Sequence, residues 1–434
     1  MPGVSSSEKS APRESARPAD RPHVVHVSIV HRADDVRVFS KECRSVAAAG
    51  YQVTLYARTD HLAGTDSADE SGPEAAGRAG REPAAGRTID GVRVVGVPNS
   101  GGRVRRMTVG VAGLLRPLLA ERGQIYHFHD PELLPLAAVL RLLGRTVVYD
   151  AHEDLPAQVL GKQWIPARLR KPVAGLAWLL VRTFGRACNA VVAATPTVAA
   201  AYGEPGAGRV DLVHNYPVLV DGARFVPYQD RPMDLIYVGG ISRLRGLDTM
   251  LASWSRVRER FPEARLHLVG PPLHDGLRLP PGPDQEPDPD FPGVIHHGLL
   301  PPEQARALMG SSRVGLAVLK RTRAHEDSIP NKLFEYLAES MPVVASDFPL
   351  WASIIADTNG GVVVDPDDPD AVADAVLSLL ADPEAAATAG ATGRAAVIGR
   401  YSWESEAKTL LSRYDALLRP GDGGSRRRRT GQGS

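Results

Sequence analysis

The chain has 434 residues, and composition alone excludes several classes of protein. Hydrophobic residues make up 43% and charged residues 23%, which is ordinary globular usage and excludes a wholly disordered chain. Its 51 lysines and arginines balance 50 aspartates and glutamates, so the formal net charge of +1 gives no global attraction for nucleic acid. Two cysteines, Cys43 and Cys188, are too few for a disulfide framework and are typical of buried, reduced thiols in a cytoplasmic protein.

Neither a leader peptide nor a membrane span is predicted. Residues 1–22 lack the apolar core of a signal peptide and indicate a disordered tail, and residues 421–434 indicate a second, basic one. The longest apolar stretch, 172–195, contains Arg182 and Arg186, whereas a spanning helix needs about 20 apolar residues with few charges. We therefore expect a soluble, cytoplasmic protein.

Apolar runs rich in valine and isoleucine alternate with helical patterns along the chain, which is typical of parallel βαβ units. In the first half, this pattern predicts strands over 23–30, 52–57, 92–97, 125–129, 146–150, 190–195 and 210–214. In the second half, it predicts strands over 234–239, 265–270, 293–298, 314–319, 342–346 and 361–365. Helices are predicted over 36–49, 247–260, 302–310, 331–340, 350–356, 368–381, 384–399 and 402–418.

This many strands exceeds what one sheet normally holds. A single parallel sheet rarely uses more than about 200 residues, so we expect two sequential, doubly wound α/β domains of Rossmann-like type. The predicted boundaries are an N-terminal domain over 23–214 with a flexible insertion over 60–88, a linker over 215–232, a C-terminal domain over 233–400, and a helix over 401–420 that returns to the N-terminal domain. Ligands of such sheets bind at the carboxyl ends of the strands, which is where we look for functional residues.

The segment YVGGISRLRGLD (237–248) leaves a predicted strand through Gly239 and Gly240 and enters a helix. Glycines let the backbone approach a ligand closely, and Arg243 and Arg245 place cations beside it, which suits a diphosphate. The alternative is an ordinary Gly-Gly turn with solvated arginines.

The segment HEDSIPNKLFEYLAESMPVVASD (325–347) gives the strongest signal in the second half. Ser328 is predicted to cap a helix whose first turn contains Pro330, and Lys332 strengthens the anion site at that helix start. Glu335 lies one to two turns in, where its carboxylate can accept hydrogen bonds from a ribose diol. The alternative is that Lys332 and Glu335 form an ordinary surface pair worth a few tenths of a kcal/mol.

Two strand ends in the first half carry histidines and carboxylates. HFHDPELLP (127–135) contains His129 and Asp130, and YDAHEDLP (149–156) contains Asp150, His152 and Glu153. Such side chains at adjacent strand ends indicate a binding or catalytic site. A metal site is the less favoured interpretation, because neither HExxH nor a close Cys/His spacing occurs.

The loop after the first strand, HRADDVRVFSKE (31–42), contains Asp34, Asp35 and Arg37. It either binds acceptor hydroxyls or caps the next helix. The segment 161–186 has six basic and no acidic residues, so it either lies on an anionic membrane surface or packs on the sheet with its arginines extended to solvent. Arg426–Arg429 in the tail are read as solubilising charge, with acidic lipid or RNA as the alternative.

Taken in order, these segments resemble the GT-B retaining glycosyltransferases of family 4 type, which are bacterial sugar-nucleotide enzymes. The resemblance covers roughly 23–418 and rests on six motifs: D..R.F.KE after the first strand, HDPELLP, YDAHEDLP, YVGGISRLRG, PNKLFEYLA with PVVASD, and YSWE at the last helix. It implies that Glu335 holds the nucleotide ribose and that Asp327 contacts the donor sugar. It also implies that Arg245 contacts the diphosphate and that His129 lies near the reacting sugar.

The departures from the family pattern are specific. Asp327 stands where the family has Glu, Arg245 where it usually has Lys, and Gly240 where Arg is frequent. The usual Gly-Gly loop after the first strand is replaced by Asp34–Arg37. The implied donor-binding residues are Gly239, Gly240, Arg243, Arg245, Asp327, Ser328, Asn331, Lys332 and Glu335. The implied acceptor-binding residues are Asp35, Arg37, His129, Asp130, His152 and Glu153, and the implied catalytic residues are His129, Asp327 and Arg245.

The resemblance implies a hexosyltransferase with its active site between two domains. It implies transfer from a UDP- or GDP-linked sugar to a hydroxyl of a glycan, glycolipid or small molecule, with retention at the anomeric carbon. No cofactor, divalent metal or nucleic acid is expected. Two alternatives stay open: a nucleotide-sugar epimerase of the same fold, and a non-catalytic scaffold that binds sugar nucleotide or membrane.

Overall fold

The computed structural model describes residues 21–59, 86–97, 102, 105–152, 154–161, 165–206, 208–219, 226–273, 276–326 and 328–419. The chain divides into two compact units. Unit 1 comprises Met1–His214 with Glu406–Ser434, and unit 2 comprises Asn215–Ser405. The tails predicted over 1–22 and 421–434 and the insertion predicted over 60–88 lie largely outside the described residues.

Unit 1 is built on an eight-stranded sheet with the order β3-β4-β2-β1-β5-β6-β7-β8. The strands are β1 (His23–Arg32), β2 (Gln52–Arg58), β3 (Arg87–Ile89), β4 (Val92–Gly96), β5 (Ile125–Phe128), β6 (Thr146–Ala151), β7 (Ala190–Ala193) and β8 (Val210–Leu212). The helices are α1 (Arg44–Ala48), α2 (Val111–Ala120), α3 (Leu134–Leu142), α4 (Leu155–Gly161), α5 (Ala167–Ala187) and α6 (Pro196–Ala199). A π-helical segment, Val36–Cys43, leads into α1.

All seven strands predicted in the first half are confirmed, but β3 is a strand that the prediction missed. It was assigned to the flexible insertion, yet it pairs antiparallel with β4 through Ile89 and Val92. The turn between them is Asp90–Gly91, with φ of 48° and 78°. A two-residue Asp-Gly turn of this kind suits a hairpin, because its backbone twist matches that of the strands. The Asp90–Gly91 dipeptide is therefore the sequence signal that could have predicted the β3–β4 hairpin.

The parallel part of the sheet is buried because its strands are apolar on both faces. Val24, Val25, Val27 and Ile29 of β1 are each at most 1% exposed. Parallel strands are covered by helices on both sides, so near-continuous apolar runs are expected in them. Both cysteines are buried and unpaired, as predicted.

Unit 2 contains a six-stranded, all-parallel sheet with the order β11-β10-β9-β12-β13-β14. Its strands are β9 (Leu235–Val238), β10 (Leu266–Val269), β11 (Val294–Gly298), β12 (Val314–Ala317), β13 (Val343–Ser346) and β14 (Gly361–Val364). Its helices are α7 (Leu247–Arg260), α8 (Pro302–Ser311), α9 (Arg323–Glu326), α10 (Asn331–Ala338), α11 (Pro349–Thr358), α12 (Pro369–Ala381) and α13 (Pro383–Arg400). The predicted strands are confirmed, and the predicted helices agree to within two residues at each end.

The chain passes from unit 1 to unit 2 at residues 214–215 and returns to unit 1 at residues 405–406. The described part of the predicted linker belongs to unit 2, where buried Arg231 donates to the carbonyls of Ser312 and Glu339. The last helix, α14 (Trp403–Leu418), begins in unit 2 and continues in unit 1. In the described residues, no helix is both long enough and apolar enough to cross a bilayer.

Candidate functional site

The first group of candidate residues lies in unit 2, where β9 ends. Gly239 has a φ of 136° and Gly246 a φ of 85°, both in the range that favours glycine. A Cβ at Gly246 would lie 1.7 Å from the Val318 carbonyl oxygen, so only glycine fits where α7 begins. Between them, the Ser242 hydroxyl accepts a hydrogen bond from the Arg245 backbone N–H at 3.2 Å. This hydrogen bond fixes the backbone of Arg245 relative to Ser242.

Lys332 is the most unusual charged residue of this group. Its Nζ is buried without a hydrogen-bond partner in the described structure. It lies 4.0 Å from the centre of the Tyr237 ring, and a Cβ at Gly239 would lie only 3.3 Å from it. Burial and the neighbouring charge of Arg245 lower the pKa of Lys332 to about 7, although the Glu335 carboxylate opposes the shift. A buried ammonium without an acceptor is costly, so the site favours an added anion.

The remaining unit 2 candidates differ in position. Arg245 and Glu335 are both partly buried and both interact electrostatically with Lys332. Arg243 instead extends into solvent, 78% exposed, where its nearest charge is Asp248 at 3.7 Å. The structure thus brings Arg245, Lys332 and Glu335 together at the end of β9 and leaves Arg243 outside this group.

The predicted cap at Ser328 is wrong. The Ser328 hydroxyl donates to the His325 carbonyl at 2.9 Å, and the Ser328 carbonyl accepts from Trp351 Nε1 at 2.9 Å. Pro330 lies at the N-cap of α10 rather than in its first turn, and it makes no side-chain cap bond. Pro330 thus gives the helix start at Asn331 no side-chain acceptor, and a helix start of this kind suits an anion. Asp327 lies outside the described residues.

In unit 1, Asp130 binds the last third of β1. Its carboxylate accepts from the Ser28 hydroxyl at 2.9 Å and from the backbone N–H groups of Ile29 and Val30 at 2.6 and 3.1 Å. Its other oxygen lies 2.9 Å from His31 Nδ1. Burial opposes ionisation of Asp130, but the bonds from His31 and the backbone outweigh it and lower its pKa. Burial likewise opposes protonation of His31, but Asp130 outweighs it and raises the pKa of His31 to about 9.

Asp150, at the end of β6, is the centre of a second network. Arg37 donates to both carboxylate oxygens at 3.0 and 2.7 Å, and Nδ1 of His129 and of His152 each lie 3.1 Å from Oδ2. Burial opposes ionisation of Asp150, but the Arg37 charge outweighs it and holds the pKa well below its usual range. The second nitrogen of His129, Nε2, lies 2.9 Å from His26 Nδ1. Both ring nitrogens of His129 are therefore already bonded.

Burial separates the predicted acceptor residues into two sets. The side chains of Arg37, His129 and Asp130 are at most 7% exposed, whereas His152 is 13% and His31 22% exposed. The rings of His31 and His152 lie 5.1 Å apart and form the outer face of these networks. The sequence analysis did not select His31. His31 follows the apolar run 23–30 directly, and this position is the sequence signal that could have identified it as a site residue.

Two other acceptor candidates have different outcomes. Asp35 caps the π-helical segment, accepting from the Val38 backbone N–H at 2.9 Å, so the capping alternative describes it. Glu153 lies outside the described residues.

Sequence reasoning also missed a cluster below these networks, which we call the buried histidine cluster. It consists of His26, Glu42, His127 and His129, all fully buried, with one ligand-type atom from each residue within 4.8 Å of every other. Burial lowers the pKa of His26 and His127 well below the usual range and raises that of Glu42 well above it. His127 and His129 are two residues apart in IYHFH (125–129), so their side chains lie on the same face of the extended chain. This spacing is the sequence signal that could have pointed to the cluster.

Comparison with known proteins assigns the chain to a family. The model of Glycosyltransferase Family 4 matches residues 36–216, and that of Glycosyl transferases group 1 matches residues 232–382. The chain belongs to the family 4-type glycosyltransferases of GT-B fold. The resemblance stated from the six motifs is therefore confirmed, as is the predicted fold class.

One curated relative is the D-inositol 3-phosphate glycosyltransferase of Segniliparus rotundus, which is 34% identical over 185 residues. That alignment covers 43% of this chain and 40% of the relative, so the chain spans about two fifths of that protein's length.

Solved structures match over nearly the whole chain and show the fold. Sucrose-phosphate synthase from Thermosynechococcus elongatus superposes with a TM-score of 0.62 at 17% identity, covering 92% of this chain and 99% of that one. HepE of Anabaena, in complex with UDP-glucose, gives a TM-score of 0.60 at 12% identity over 91% of this chain and 99% of that one.

Proposed function

We propose that this family 4-type chain transfers a sugar from a UDP- or GDP-linked donor to an acceptor hydroxyl, with retention at the anomeric carbon. The acceptor belongs to a glycan, a glycolipid or a small molecule. The observation that carries the proposal is the unpaired, buried ammonium of Lys332 beside Arg245 at the end of β9.

Unit 2 supplies the donor site in this proposal. Lys332 and Arg245 bind the diphosphate, because two cations and an uncapped helix start face the same strand end. Glu335 lies one turn further along α10, where its carboxylate accepts hydrogen bonds from the ribose hydroxyls. The likeness in fold to HepE, which was solved with UDP-glucose, supports a nucleotide-sugar ligand.

The chemistry follows from these charges. The bond between the anomeric carbon and the phosphate oxygen breaks, and the acceptor oxygen forms its bond on the same face. The acceptor proton passes to the departing phosphate oxygen, so no enzyme nucleophile is needed. Lys332 and Arg245 stabilise the negative charge that develops on the leaving diphosphate, which is the role that a divalent metal has in other transferases.

Unit 1 supplies the acceptor site. His31 and His152 are the exposed members of its polar networks, so they are the groups that meet a hydroxyl-bearing ligand. His129 and Arg37 act through Asp150, which they hold at the end of β6. We expect His152→Ala to reduce transfer about tenfold while leaving nucleotide binding within twofold of wild type, since one hydrogen bond to a charged or polar ligand group is worth about 1.5 kcal/mol.

A ligand screen tests the donor site directly. UDP-, GDP- and ADP-sugars are added to the full chain and its thermal unfolding is followed, because a ligand at 100 times its Kd adds about 2.7 kcal/mol of stability. A UDP- or GDP-sugar should stabilise the wild type and not Lys332→Met. Arg243→Met removes an exposed cation from the same loop and should respond like the wild type. Stabilisation of all three proteins alike would contradict the site.

Product analysis separates the proposal from its alternatives. An epimerase converts the donor without any acceptor, and a scaffold binds the donor without converting it. Release of nucleoside diphosphate that depends on an added hydroxyl acceptor supports the transferase. Conversion of the donor sugar to an isomer in the absence of acceptor would instead identify an epimerase.

A second surface, on α5, favours peripheral contact with an anionic membrane. The helix has five basic and no acidic residues, and Leu176, Trp178 and Leu179 are 45–56% exposed. The Arg182 guanidinium lies 5.0 Å from the centre of the Trp178 ring. Exposed apolar and basic side chains on one helix suit the headgroup region of an anionic bilayer.

Vesicle sedimentation tests this contact. The double variant Trp178→Ser, Leu179→Ser should lose binding to vesicles that contain phosphatidylglycerol. The control Ile398→Ser changes an equally exposed residue, 49% exposed, in unit 2 and should bind like the wild type. Equal sedimentation of all three proteins, or none of the wild type, would exclude the contact.

A further inference from the structure

We propose that the buried histidine cluster is a site for one divalent transition-metal ion, most naturally zinc, with His26, Glu42, His127 and His129 as its ligands. The site lies within unit 1 and does not involve the residues proposed to bind the donor. It shares His129 with the proposed acceptor site, so its test measures bound metal and not sugar transfer.

The spacing of the four side chains fits one ion. One ligand-type atom from each residue lies within 4.8 Å of every other, and His26 Nδ1 and His129 Nε2 are 2.9 Å apart. Zinc binds histidine nitrogen at about 2.0–2.1 Å and carboxylate oxygen at about 2.0–2.2 Å, usually in a tetrahedron. Ligand atoms of such a tetrahedron are separated by roughly 3.3 Å, which follows from those bond lengths. The 2.9 Å contact and the 4.8 Å limit of the cluster lie on either side of that value.

Unsatisfied polar atoms give a second, independent reason. Among the described residues, Glu42 Oε2 and the Nε2 atoms of His26 and His127 are buried and have no hydrogen-bond partner, whereas Glu42 Oε1 lies 3.2 Å from Arg37 Nε. Buried polar groups are bonded in more than nine cases out of ten, so three unsatisfied atoms in one cluster require an explanation. A metal ion accepts one electron pair from the carboxylate and one from each imidazole, so binding through Glu42 Oε2 and His127 Nε2 would satisfy two of these atoms.

The surroundings resemble the outer ligand sphere of known metal sites. His129 Nδ1 bonds to the Asp150 carboxylate at 3.1 Å, which fixes the ring with Nε2 directed at His26, and an ion between the two rings would replace that contact. His127 Nδ1 and the Tyr414 hydroxyl are 2.6 Å apart. Histidine that binds a metal usually donates its other ring N–H to a carboxylate or a similar acceptor. Three imidazoles and one carboxylate, without a thiolate, suit zinc or another first-row divalent ion.

The role of the ion would be structural. The four ligands come from β1, from the π-helical segment, and from β5 with the residue after it, and Tyr414 adds α14. One ion therefore joins elements that are far apart in sequence. Metal that binds only the folded chain adds its binding free energy to stability.

Metal analysis of the full chain tests the proposal. The protein is purified without a polyhistidine tag from zinc-supplemented cells, and bound metal is measured by mass spectrometry. About one zinc per chain is expected in the wild type and none above background in Glu42→Gln or His127→Phe. The control is His297→Gln, because His297 Nε2 also lies 2.9 Å from a histidine nitrogen, that of His267, but in unit 2. This control should keep its zinc.

X-ray absorption at the zinc edge keeps the test independent of whether the variants fold. It should show nitrogen and oxygen ligands at about 2.0–2.2 Å. A sulfur ligand at about 2.3 Å would implicate Cys43 and overturn the ligand set. A wild type that holds no metal after growth and dialysis in zinc would overturn the site. UDP binding, measured in parallel, depends on unit 2, so its loss would contradict the proposed function and not the metal site.

Discussion

Both units place charged side chains at the ends of parallel strands, but the charges are arranged differently. In unit 1, Arg37 is paired with Asp150 and His31 with Asp130. In unit 2, the Lys332 ammonium is buried with no acceptor in the described structure. A charge whose partner is internal stabilises its own scaffold. A buried charge without one is stabilised only when an external ligand of opposite sign arrives. The unit 2 strand end is therefore the better candidate for an anionic ligand.

The largest effect that tests this comparison concerns the stability of unit 1. Asp150→Ala removes the carboxylate that accepts two hydrogen bonds from the buried Arg37 guanidinium and leaves it only the ion pair with Glu42 Oε1 at 3.2 Å. We expect the free energy of unfolding in urea to fall by about 3–5 kcal/mol. The control Asp248→Ala removes the partner of exposed Arg243 and should cost less than about 1 kcal/mol. Equal losses in the two variants would show that the buried Arg37–Asp150 pair contributes no more to the free energy of unfolding than the exposed Arg243–Asp248 pair.

The second prediction concerns donor binding. Glu335→Ala should weaken binding of UDP or GDP by about 3 kcal/mol, because two charge-assisted hydrogen bonds to the ribose are lost. Isothermal titration measures this loss. Glu326→Ala, a partly exposed carboxylate near the same helix, is the matched control and should bind normally. Unchanged affinity in Glu335→Ala would exclude the ribose role.

The third prediction is a pH dependence of nucleotide affinity. With a pKa of about 7, Lys332 is protonated below pH 7 and loses its proton as the pH rises above it. A bound diphosphate favours the charged form, so binding above pH 7 must include uptake of a proton. Affinity should therefore fall between pH 7 and pH 9, by up to about tenfold per pH unit. Arg245 and Glu335 are the charged neighbours of Lys332.

Lys332→Met is the control for that profile. The phosphate itself releases its last proton below pH 7, so the variant reports any dependence that the ligand contributes. Its affinity should be low and flat between pH 7 and pH 9. An equally steep fall in the variant would show that Lys332 is not the titrating group.

The smallest effect expected is that of a chelator on transfer. Cations at the end of β9 replace a metal on the diphosphate, so brief treatment with EDTA should leave the transfer rate within twofold of the untreated enzyme. A zinc ion in the buried histidine cluster is fully enclosed and should not be removed within minutes. Complete loss of transfer that Mg²⁺ or Mn²⁺ restores would contradict the cationic diphosphate site.

Local sequence patterns predicted much of both regions. The valine-rich runs located thirteen strands, since apolar side chains must be buried on both faces of a parallel sheet. The same patterns placed Lys332 and Glu335 on one helix and His129 and Asp150 at strand ends. They missed β3, an edge strand that contains the polar residues Arg87 and Thr88 and therefore lacks an apolar run. They also gave the wrong role to Ser328, whose hydroxyl donates to the His325 carbonyl instead of capping α10.

The sequence by itself determined the alternation of strands and helices, the parallel sheets and the motifs of the family, because these depend on neighbours a few residues apart. Only the tertiary structure decided which charges are paired. Arg37 and Asp150 are separated by 113 residues, and Lys332 is buried because the Tyr237 ring and Gly239 lie against it. The buried histidine cluster likewise joins His26 to His129 across 103 residues. Desolvation and pairing depend on such distant contacts, so local sequence patterns do not determine them.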